Sequence, residues 1–315
     1  MAEFDEAARD VAWVAPEGTV THADEPIPPQ MEFFAAPPTE IGELVSAFST
    51  LRTDKDAWNP TVRMIIALVI ALLLWGGTWF ALKAMDPGND VVGNILGGIL
   101  GLLGLALVYY VTSFKQSCSF VGKQGVARYT LRGSREAEPK EELFEFTEAA
   151  DLYTGQTRHY YNGVYTGTQY FYRWENAQGR KVFNLQGTFN SQAGTPKTHD
   201  PYYFAMNAEY AWSNHLLDSL QAELDKHGSV EFKVNKRDAV RVGPGFMEFC
   251  FGTNEERVDG EALKHISIGG GTFSFKTADA KWFSRKGKFS FNYASMANAR
   301  LFLLVLHSLL GVTFE

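Results

Sequence analysis

Two uncharged apolar runs near the start of the chain constrain its fold more than any other feature. Residues 64–82 (MIIALVIALLLWGGTWFAL) contain no charged side chain, and residues 91–114 form a second such run. As a helix the first run is about 28 Å long, close to the thickness of a bilayer's hydrocarbon core. A polar break at residues 86–90 (DPGND) is typical of a tight turn. The sequence therefore predicts a transmembrane helical hairpin over residues 61–114; the alternative is a buried helical hairpin of a soluble protein.

Basic residues flank this hairpin on one side. Because Lys and Arg accumulate in the cytoplasmic flanks of membrane helices, their positions predict orientation. They precede the first helix and follow the second, at Arg52, Lys55, Arg63, Lys115, Lys123, Arg128, Arg132 and Arg135. The connecting turn holds two Asp residues, with Lys83 at the end of the first helix. We therefore expect both termini in the cytoplasm.

Glycines form a stripe on the second apolar run. The first three are four residues apart, which places them on one helix face, and a fourth follows: Gly93, Gly97, Gly101 and Gly104. A face without side chains lets another helix approach closely. The stripe predicts either packing against the first helix of the same chain, near Gly76 and Gly77, or contact with another chain.

The segment before the hairpin is acidic. Residues 1–60 hold 12 Asp and Glu against 3 Lys and Arg, with several prolines, which is typical of a largely disordered tail. Within it, residues 40–52 show apolar positions at helical spacing, which predicts an amphipathic helix. Its apolar face would consist of Ile41, Leu44, Val45, Phe48 and Leu51. Because its polar face is acidic, we expect it to dock on a protein surface, which includes the chain's own soluble part, rather than on an anionic membrane.

The rest of the chain has a different pattern, in which short alternating strands are followed by a helix, twice. The pattern predicts one module over residues 118–228 and a second over residues 229–315, each closed by its helix. Their basic and acidic residues nearly balance, which argues against a nucleic-acid footprint. The two cysteines, Cys118 and Cys250, favour a reducing compartment, and no His/Cys spacing predicts a metal or other cofactor.

This body resembles bacterial membrane proteins of unknown function that carry pleckstrin-homology-like (PH-like) domains. The matching segments are residues 122–126 (GKQGV), 160–167 (YYNGVYTG), 281–283 (KWF), 287–289 (GKF) and 298–303 (NARLFL), with Asn292 before the last. The resemblance implies an α+β fold: a transmembrane hairpin plus two tandem, mainly β, PH-like modules in the bacterial inner membrane. It implies a binding or scaffold role and brings no catalytic residues.

Two groups of basic residues are candidate contacts for lipid headgroups or a partner. The first follows the hairpin and consists of Lys123, Arg128 and Arg132; nearness to the membrane favours anionic headgroups, at about 1 kcal/mol per charge. The second lies in a predicted hairpin and includes Lys281, Arg285, Lys286 and Lys288. A solvated loop is the simpler interpretation of the second group.

The sequence favours a membrane-anchored, non-enzymatic scaffold or assembly protein whose modules bind a protein partner or lipid headgroups. The expected partners are membrane lipids and a protein or a second copy of the chain. The alternative is an accessory subunit of a larger, transport-type membrane complex, contacted through the glycine-striped hairpin. An enzyme, the third class, would need a site that the sequence motifs do not indicate: residues 269–272 (GGGT) lack the ending of a phosphate-binding loop.

Overall fold

The computed structural model describes residues 13–50, 60–85, 88, 90–112, 115–132, 137–192, 195–281, 283 and 286–312. The fold is α+β: two apolar helices and two β modules, each ending in a helix. The predicted residues Leu51 and Arg285 lie outside the described residues.

The two apolar helices form an antiparallel pair. Helix α1 (Pro60–Met85) and helix α2 (Asp90–Val111) are both long and apolar enough to cross a membrane. The described residues leave their outer side chains uncovered: Leu73, Phe80 and Leu102 are 68–70 % exposed. A helical hairpin in the core of a soluble protein would bury these side chains, so this exposure argues against the alternative of a buried hairpin.

The glycine stripe packs against α1 of the same chain. A Cβ atom added at Gly97 would lie 2.7 Å from the carbonyl oxygen of Trp75, and one at Gly101 would lie 2.9 Å from that of Ala71. Gly93 faces Trp79, and Gly104 faces Leu74. In this structure the stripe thus faces α1 of the same chain, but not at the expected neighbours Gly76 and Gly77, since both face open space.

We expect the double variant Gly97→Leu and Gly101→Leu to separate the two helices, because both new side chains would collide with the α1 backbone. Overpacking of this kind costs about 1–3 kcal/mol per site. The measurement is thermal denaturation of the detergent-solubilised chain, together with the yield of extraction. Gly98→Leu is the matched control, because its Cβ would meet nothing within 4 Å. Equal behaviour of the double variant and the control would contradict this packing.

The first module contains two antiparallel sheets and a helix. The four-stranded sheet has the order β1 (Leu44–Ser49), β2 (Lys115–Gly122), β3 (Gly125–Arg132) and β4 (Lys140–Glu145). The three-stranded sheet consists of β5 (Asp151–Tyr161), β6 (Val164–Glu175) and β7 (Lys181–Phe189), and helix α3 (Tyr202–His227) follows. Residues of both sheets and the first half of α3 share one core, with Trp174 and Trp212 among its largest side chains.

The helical hairpin is an insertion between two neighbouring strands of the first module. Strand β1 precedes α1, yet it pairs antiparallel with β2, which follows α2; Ser49 lies opposite Cys118, for example. The predicted amphipathic helix at residues 40–52 is therefore wrong, and so is a first module that starts at residue 118. Instead, a short 3-10 helix at Thr39–Ile41 ends at Gly42, with φ +72°, and the strand begins two residues later. Pairing with β2 outweighs the helical spacing, as tertiary context often does for short segments.

The expected apolar helix face is thus divided between the two sides of a strand. Ile41, just before the strand, is fully buried, while Val45 is 37 % exposed. Leu44 and Phe48 are partly buried. Both faces of the strand are covered in part, since the adjacent residues Ser46 and Ala47, which point to opposite faces, are both fully buried.

The prediction of a disordered tail is also wrong for residues 13–50. These residues cover the outer face of the four-stranded sheet, where Phe33 and Ile41 are buried against Cys118, Phe120 and Ala127. The ring of Trp13 packs edge-on against Phe33 and Phe120, at centroid distances of 4.9 and 5.4 Å. Local composition did not predict this order because the apolar residues of the tail follow no sustained period and are buried only by the sheet.

The second module repeats the arrangement of strands. One antiparallel sheet contains β8 (Val230–Lys233), β9 (Ala239–Gly243), β10 (Phe246–Phe251) and β11 (Asn254–Asp259); the other contains β12 (Leu263–Gly269), β13 (Thr272–Thr277) and β14 (Lys288–Asn292). Helix α4 (Ala299–Leu310) follows. Its side chains Leu301, Phe302 and Leu306 are buried in the same core as Phe232, Phe273 and Phe275. Short turns at residues 244–245 and 270–271 join β9 to β10 and β12 to β13.

The two modules are in direct contact. Asn298, with φ +53°, precedes α4, and its side-chain oxygen accepts hydrogen bonds from the Leu152 backbone N–H (3.0 Å) and Trp212 Nε1 (2.8 Å). Lys233 and Asp151 form an ion pair at 2.7 Å across the same seam. A cavity opens beside this seam.

Candidate functional site

The inner face of the four-stranded sheet changes from apolar to cationic along the strands. At one end, Val121 lies opposite Val126, which lies opposite Phe144, and all three belong to the core. Moving along the strands, Ser119 lies opposite Arg128, then Ser117 opposite Thr130, and finally Lys115 opposite Arg132. Because alternate residues of a strand share a face, these pairs form one continuous strip.

The cationic end of this strip lines a cavity of about 280 Å³, hereafter the cationic pocket. Four basic side chains line it: Lys115, Arg128, Arg132 and Lys140. Its opposite wall is the approach to α3, at Thr198–Phe204, which contributes Asp200. With Glu142 and Asp200 as its carboxylates, the lining carries four positive and two negative formal charges, so it favours an anion.

Two of the four cations are held by an acidic partner. Arg128 Nε and Lys140 Nζ each donate to the Glu142 carboxylate at 2.9 Å. Burial raises the pKa of Glu142, but Lys140 and Arg128 outweigh it and hold that pKa below its ordinary value. Glu142 is therefore ionised at neutral pH, and it orients Arg128 across the floor of the pocket.

The other two cations lie at the mouth. Lys115 and Arg132 are exposed neighbours on β2 and β3, and within the described part of the chain no carboxylate lies within ion-pair distance of either. Two adjacent cations without an acidic partner form the least neutralised part of the pocket. An arriving anion would meet these two side chains first.

The deep end of the pocket is fixed by a neutral histidine. His22 is buried, and its Nδ1 and Nε2 atoms lie 2.8 Å from Ser46 Oγ and 2.9 Å from Ser119 Oγ. Burial lowers the pKa of His22 to about 3, so its ring carries no charge at neutral pH. His22 thus ties the tail to β1 and β2, and the positive charge of the pocket comes from Lys and Arg.

The mouth of the pocket lies at the end of the sheet where the helical hairpin is inserted. Lys115 is the first residue of β2, four positions after the last residue of α2. Thr50, just after β1, donates its backbone N–H to the Ser117 carbonyl at 2.9 Å. The end of β1 and the start of β2, between which the helical hairpin is inserted in sequence, therefore lie beside Lys115 and Arg132.

The structure divides the first predicted basic group. Arg128 and Arg132 meet in the cationic pocket, together with Lys115 and Lys140, which sequence reasoning did not include. Lys123 does not join them, because it lies in the β2–β3 turn at the other end of these strands, paired with Glu43 at 2.5 Å. On alternate positions, residues 115–119 are Lys, Ser and Ser, and residues 128–132 are Arg, Thr and Arg. This shared polar and basic strand face was the sequence signal that could have included the missed Lys115.

The second predicted group is a more open feature. Lys288, on β14, lies opposite Lys276 on β13, and both line a surface depression with Lys264. Lys281 and Lys286 precede β14 in the connecting segment. This surface lies on the second module, and the structure does not bring these residues into the cationic pocket.

A second cavity, the inter-module cleft, has a volume of about 490 Å³ and contains a buried acid. Glu209 of α3 is 8 % exposed; Thr154 Oγ1 donates to it at 3.5 Å. Burial raises the pKa of Glu209 to about 7, against the partial opposing effects of Arg300 and Thr154. The side chains that face Glu209 are Tyr172 from β6, Tyr202 from α3, Tyr293 before α4 and Arg300 from α4.

Glu209 should make the chain less stable as pH rises. A pKa raised from 4.5 to about 7 means that the folded state binds the proton more tightly than the unfolded state. The penalty is absent below pH 4.5 and complete above about pH 7, where it reaches roughly 3 kcal/mol. We expect Glu209→Gln to flatten the pH dependence of thermal unfolding across this window. Asp218→Asn, an exposed change on the same helix, is the control and should leave the slope unchanged; an unchanged slope in Glu209→Gln would refute the assignment.

Comparison with protein-family models and with curated protein sequences finds no match for this chain. Among the described residues, no group of three His, Cys, Asp or Glu side chains is arranged to hold a metal ion.

Proposed function

We propose that this chain is a membrane-anchored, non-enzymatic scaffold whose first module binds the anionic headgroup of a membrane lipid in the cationic pocket. The hairpin would hold the two modules at the cytoplasmic face of a bacterial inner membrane. A protein partner or a second copy of the chain would assemble on the modules.

The arrangement of elements supports a PH-like identity for both modules. Each has a four-stranded and a three-stranded antiparallel sheet followed by a helix that shares their core. The resemblance noted in the sequence implies mainly β modules, each closed by a helix, which is consistent with this order of elements. The first module has a four-stranded sheet only when β1 is included, and β1 precedes the helical hairpin in sequence. The hairpin would therefore be an insertion within a PH-like module.

Membrane insertion of α1 and α2 is supported by their exposed apolar surfaces. Leaving side chains such as Leu73 and Phe80 in water would cost about 25 cal/mol per Å² of apolar surface. Arg63, near the start of α1, donates to the Tyr109 carbonyl at 2.8 Å near the end of α2, which keeps the charge of Arg63 at the end of the hairpin that connects to the first module. The basic flanks favour the cytoplasm for that end.

The observation that carries the proposal is the pair Lys115 and Arg132. Both cations line the exposed end of the pocket, lack an acidic partner among the described residues, and lie where the hairpin is inserted between β1 and β2. At that position each cation contributes about 1 kcal/mol to attraction for anionic lipid. Ser117 and Thr130 hydroxyls line the pocket between them and the floor, where they can donate to phosphate oxygens.

Native mass spectrometry of the full chain in mild detergent tests the proposal. Wild-type protein should retain phosphatidylglycerol in preference to phosphatidylcholine. The variant Lys115→Gln with Arg132→Gln should lower the apparent affinity for phosphatidylglycerol about 30-fold, the equivalent of two charges at about 1 kcal/mol each. Lys123→Gln is the control, since it removes a cation from the same strand pair outside the pocket.

Retention that is equal for both lipids, or equal in the double variant and the control, would overturn the proposal. The alternative, an accessory subunit contacted through the glycine stripe, gains no support, because α1 occupies that face.

A further inference from the structure

The β5–β6 hairpin extends beyond the sheet to which it belongs. Strand β7 pairs with β6 only from Thr168 onward, whereas the β5–β6 pairing continues to Tyr161 opposite Val164. Asn162 and Gly163, with φ of +48° and +79°, form the two-residue turn at its end. Residues 159–167 therefore form a two-stranded projection without a third strand.

Exposed aromatic and apolar side chains occupy the end of this projection. Tyr160, Tyr161 and Val164 are 52, 72 and 68 % exposed, and together they are called the aromatic tip. Tyr160 packs edge-on against Tyr165 at 5.8 Å, which fixes its ring at the surface. Arg158 and His159, also exposed, lie next to the tip on β5.

The projection begins beside the cationic pocket. At its base Tyr165 donates a hydrogen bond to the Ser191 carbonyl at 3.0 Å, and Thr168 lies opposite Phe189. The Phe189 ring packs on Tyr202, the first residue of α3, at 5.0 Å. Asp200 and Pro201, just before Tyr202, line the cationic pocket. The base of the projection and the pocket therefore meet at the start of α3.

Tyrosine side chains suit the boundary between headgroups and acyl chains, because the ring can contact apolar chains while its hydroxyl reaches hydrated headgroups. A neighbouring Arg adds attraction to anionic headgroups. A tight, hydrogen-bonded turn lets the tip enter this region without exposing unpaired backbone groups to the hydrocarbon.

We propose that the aromatic tip inserts into the headgroup region of the membrane that the hairpin crosses, as a second contact of the first module. This inference rests on the membrane anchoring in the proposed function. It adds a contact that fixes the tilt of the module and holds the cationic pocket toward the lipid surface.

Spin labels on the full chain in vesicles of equal parts phosphatidylcholine and phosphatidylglycerol test this insertion. Single cysteines would replace Tyr161, Val164 or, as the reference site on the second module, Phe283, which is 87 % exposed. Each would be introduced in a Cys250→Ser background, in which the one remaining native cysteine, Cys118, is buried. Collisions with oxygen, which concentrates in lipid, are compared with collisions with a water-soluble nickel chelate.

We expect the oxygen-to-nickel collision ratio to be several-fold higher at residues 161 and 164 than at residue 283. Equal, water-like ratios at all three sites would overturn the inference. Exclusion of both reagents at the tip would also overturn it, because that result indicates a protein contact. The lipid-retention experiment does not depend on these labels. A negative result for insertion of the aromatic tip would therefore not contradict lipid binding in the cationic pocket.

Discussion

A chain in which residues 51–114 are replaced by a short turn should be soluble and fold cooperatively. Strands β1 and β2 are antiparallel neighbours that leave the sheet at the same end, with Ser49 opposite Cys118, so a few residues can join Thr50 to Lys115. The hairpin contributes apolar surface that lipid already satisfies, and the module cores do not include it.

A chain that begins at Lys115 should instead aggregate. It lacks the tail, so Cys118, Phe120 and Ala127 would face water on the outer side of the sheet, and β2 would become an open edge. The chain would also lose Phe33 and Ile41, each of which contributes about 1.5–3 kcal/mol by burial. The summed loss is comparable to the stability of a whole domain.

Soluble yield and cooperative melting distinguish the two chains. The joined chain should melt in a sharp transition, and the shorter chain should be recovered mainly as aggregate. A shorter chain that melts as sharply and at as high a temperature would show that the tail and β1 are dispensable, which contradicts the insertion of the hairpin into this module.

Truncation before α4 should abolish folding of the second module. The Phe302 ring lies at the centre of its core, with centroids 5.2 Å from Phe232 and 5.3 Å from Phe273. Leu301 and Leu306 are also fully or almost fully buried, and ending the chain at residue 295 would expose the strands that cover all three. The loss again approaches the stability of a domain.

A point substitution gives the same test on a milder scale. Phe302→Ala should cost about 3–5 kcal/mol, as for other buried aromatic residues. Leu304→Ala is the matched control, because Leu304 is 39 % exposed on the same helix. Both would be measured by thermal unfolding of the full chain in detergent; similar losses from the two substitutions would show that α4 does not pack as described.

Elements that depend on local sequence were predictable. The apolar helices follow from uninterrupted runs, and the hairpin at residues 162–163 follows from an Asn-Gly pair, whose residues tolerate the positive φ values observed. The β1 strand was not predictable in this way. Its apolar residues fit a helical period as well as an alternating one, and its partner strand lies beyond the whole helical hairpin. Only the pairing itself decides between the two structures.

The candidate site was only partly predictable, because some of its residues lie together through local strand periodicity and others only through the pairing of strands. Arg128 and Arg132 are the second and fourth of the alternate residues that share one face of β3. Their proximity therefore follows from strand periodicity alone. Lys115 and Lys140 join them only through the registers of β2 and β4, which the sequence does not specify. Lys123 is near Arg128 in sequence but lies at the far end of the strands.

The most direct test of the central claim uses the joined chain without its helical hairpin, in which membrane binding can come only from the modules. Its partition onto vesicles would be measured by flotation, with equal parts phosphatidylglycerol and phosphatidylcholine compared with phosphatidylcholine alone. Our account predicts clear binding only to the anionic vesicles and a loss of about 30-fold in the variant Lys115→Gln with Arg132→Gln, with little change in Lys123→Gln. Equal partition onto both vesicles, or an unaltered partition of the double variant, would contradict the account.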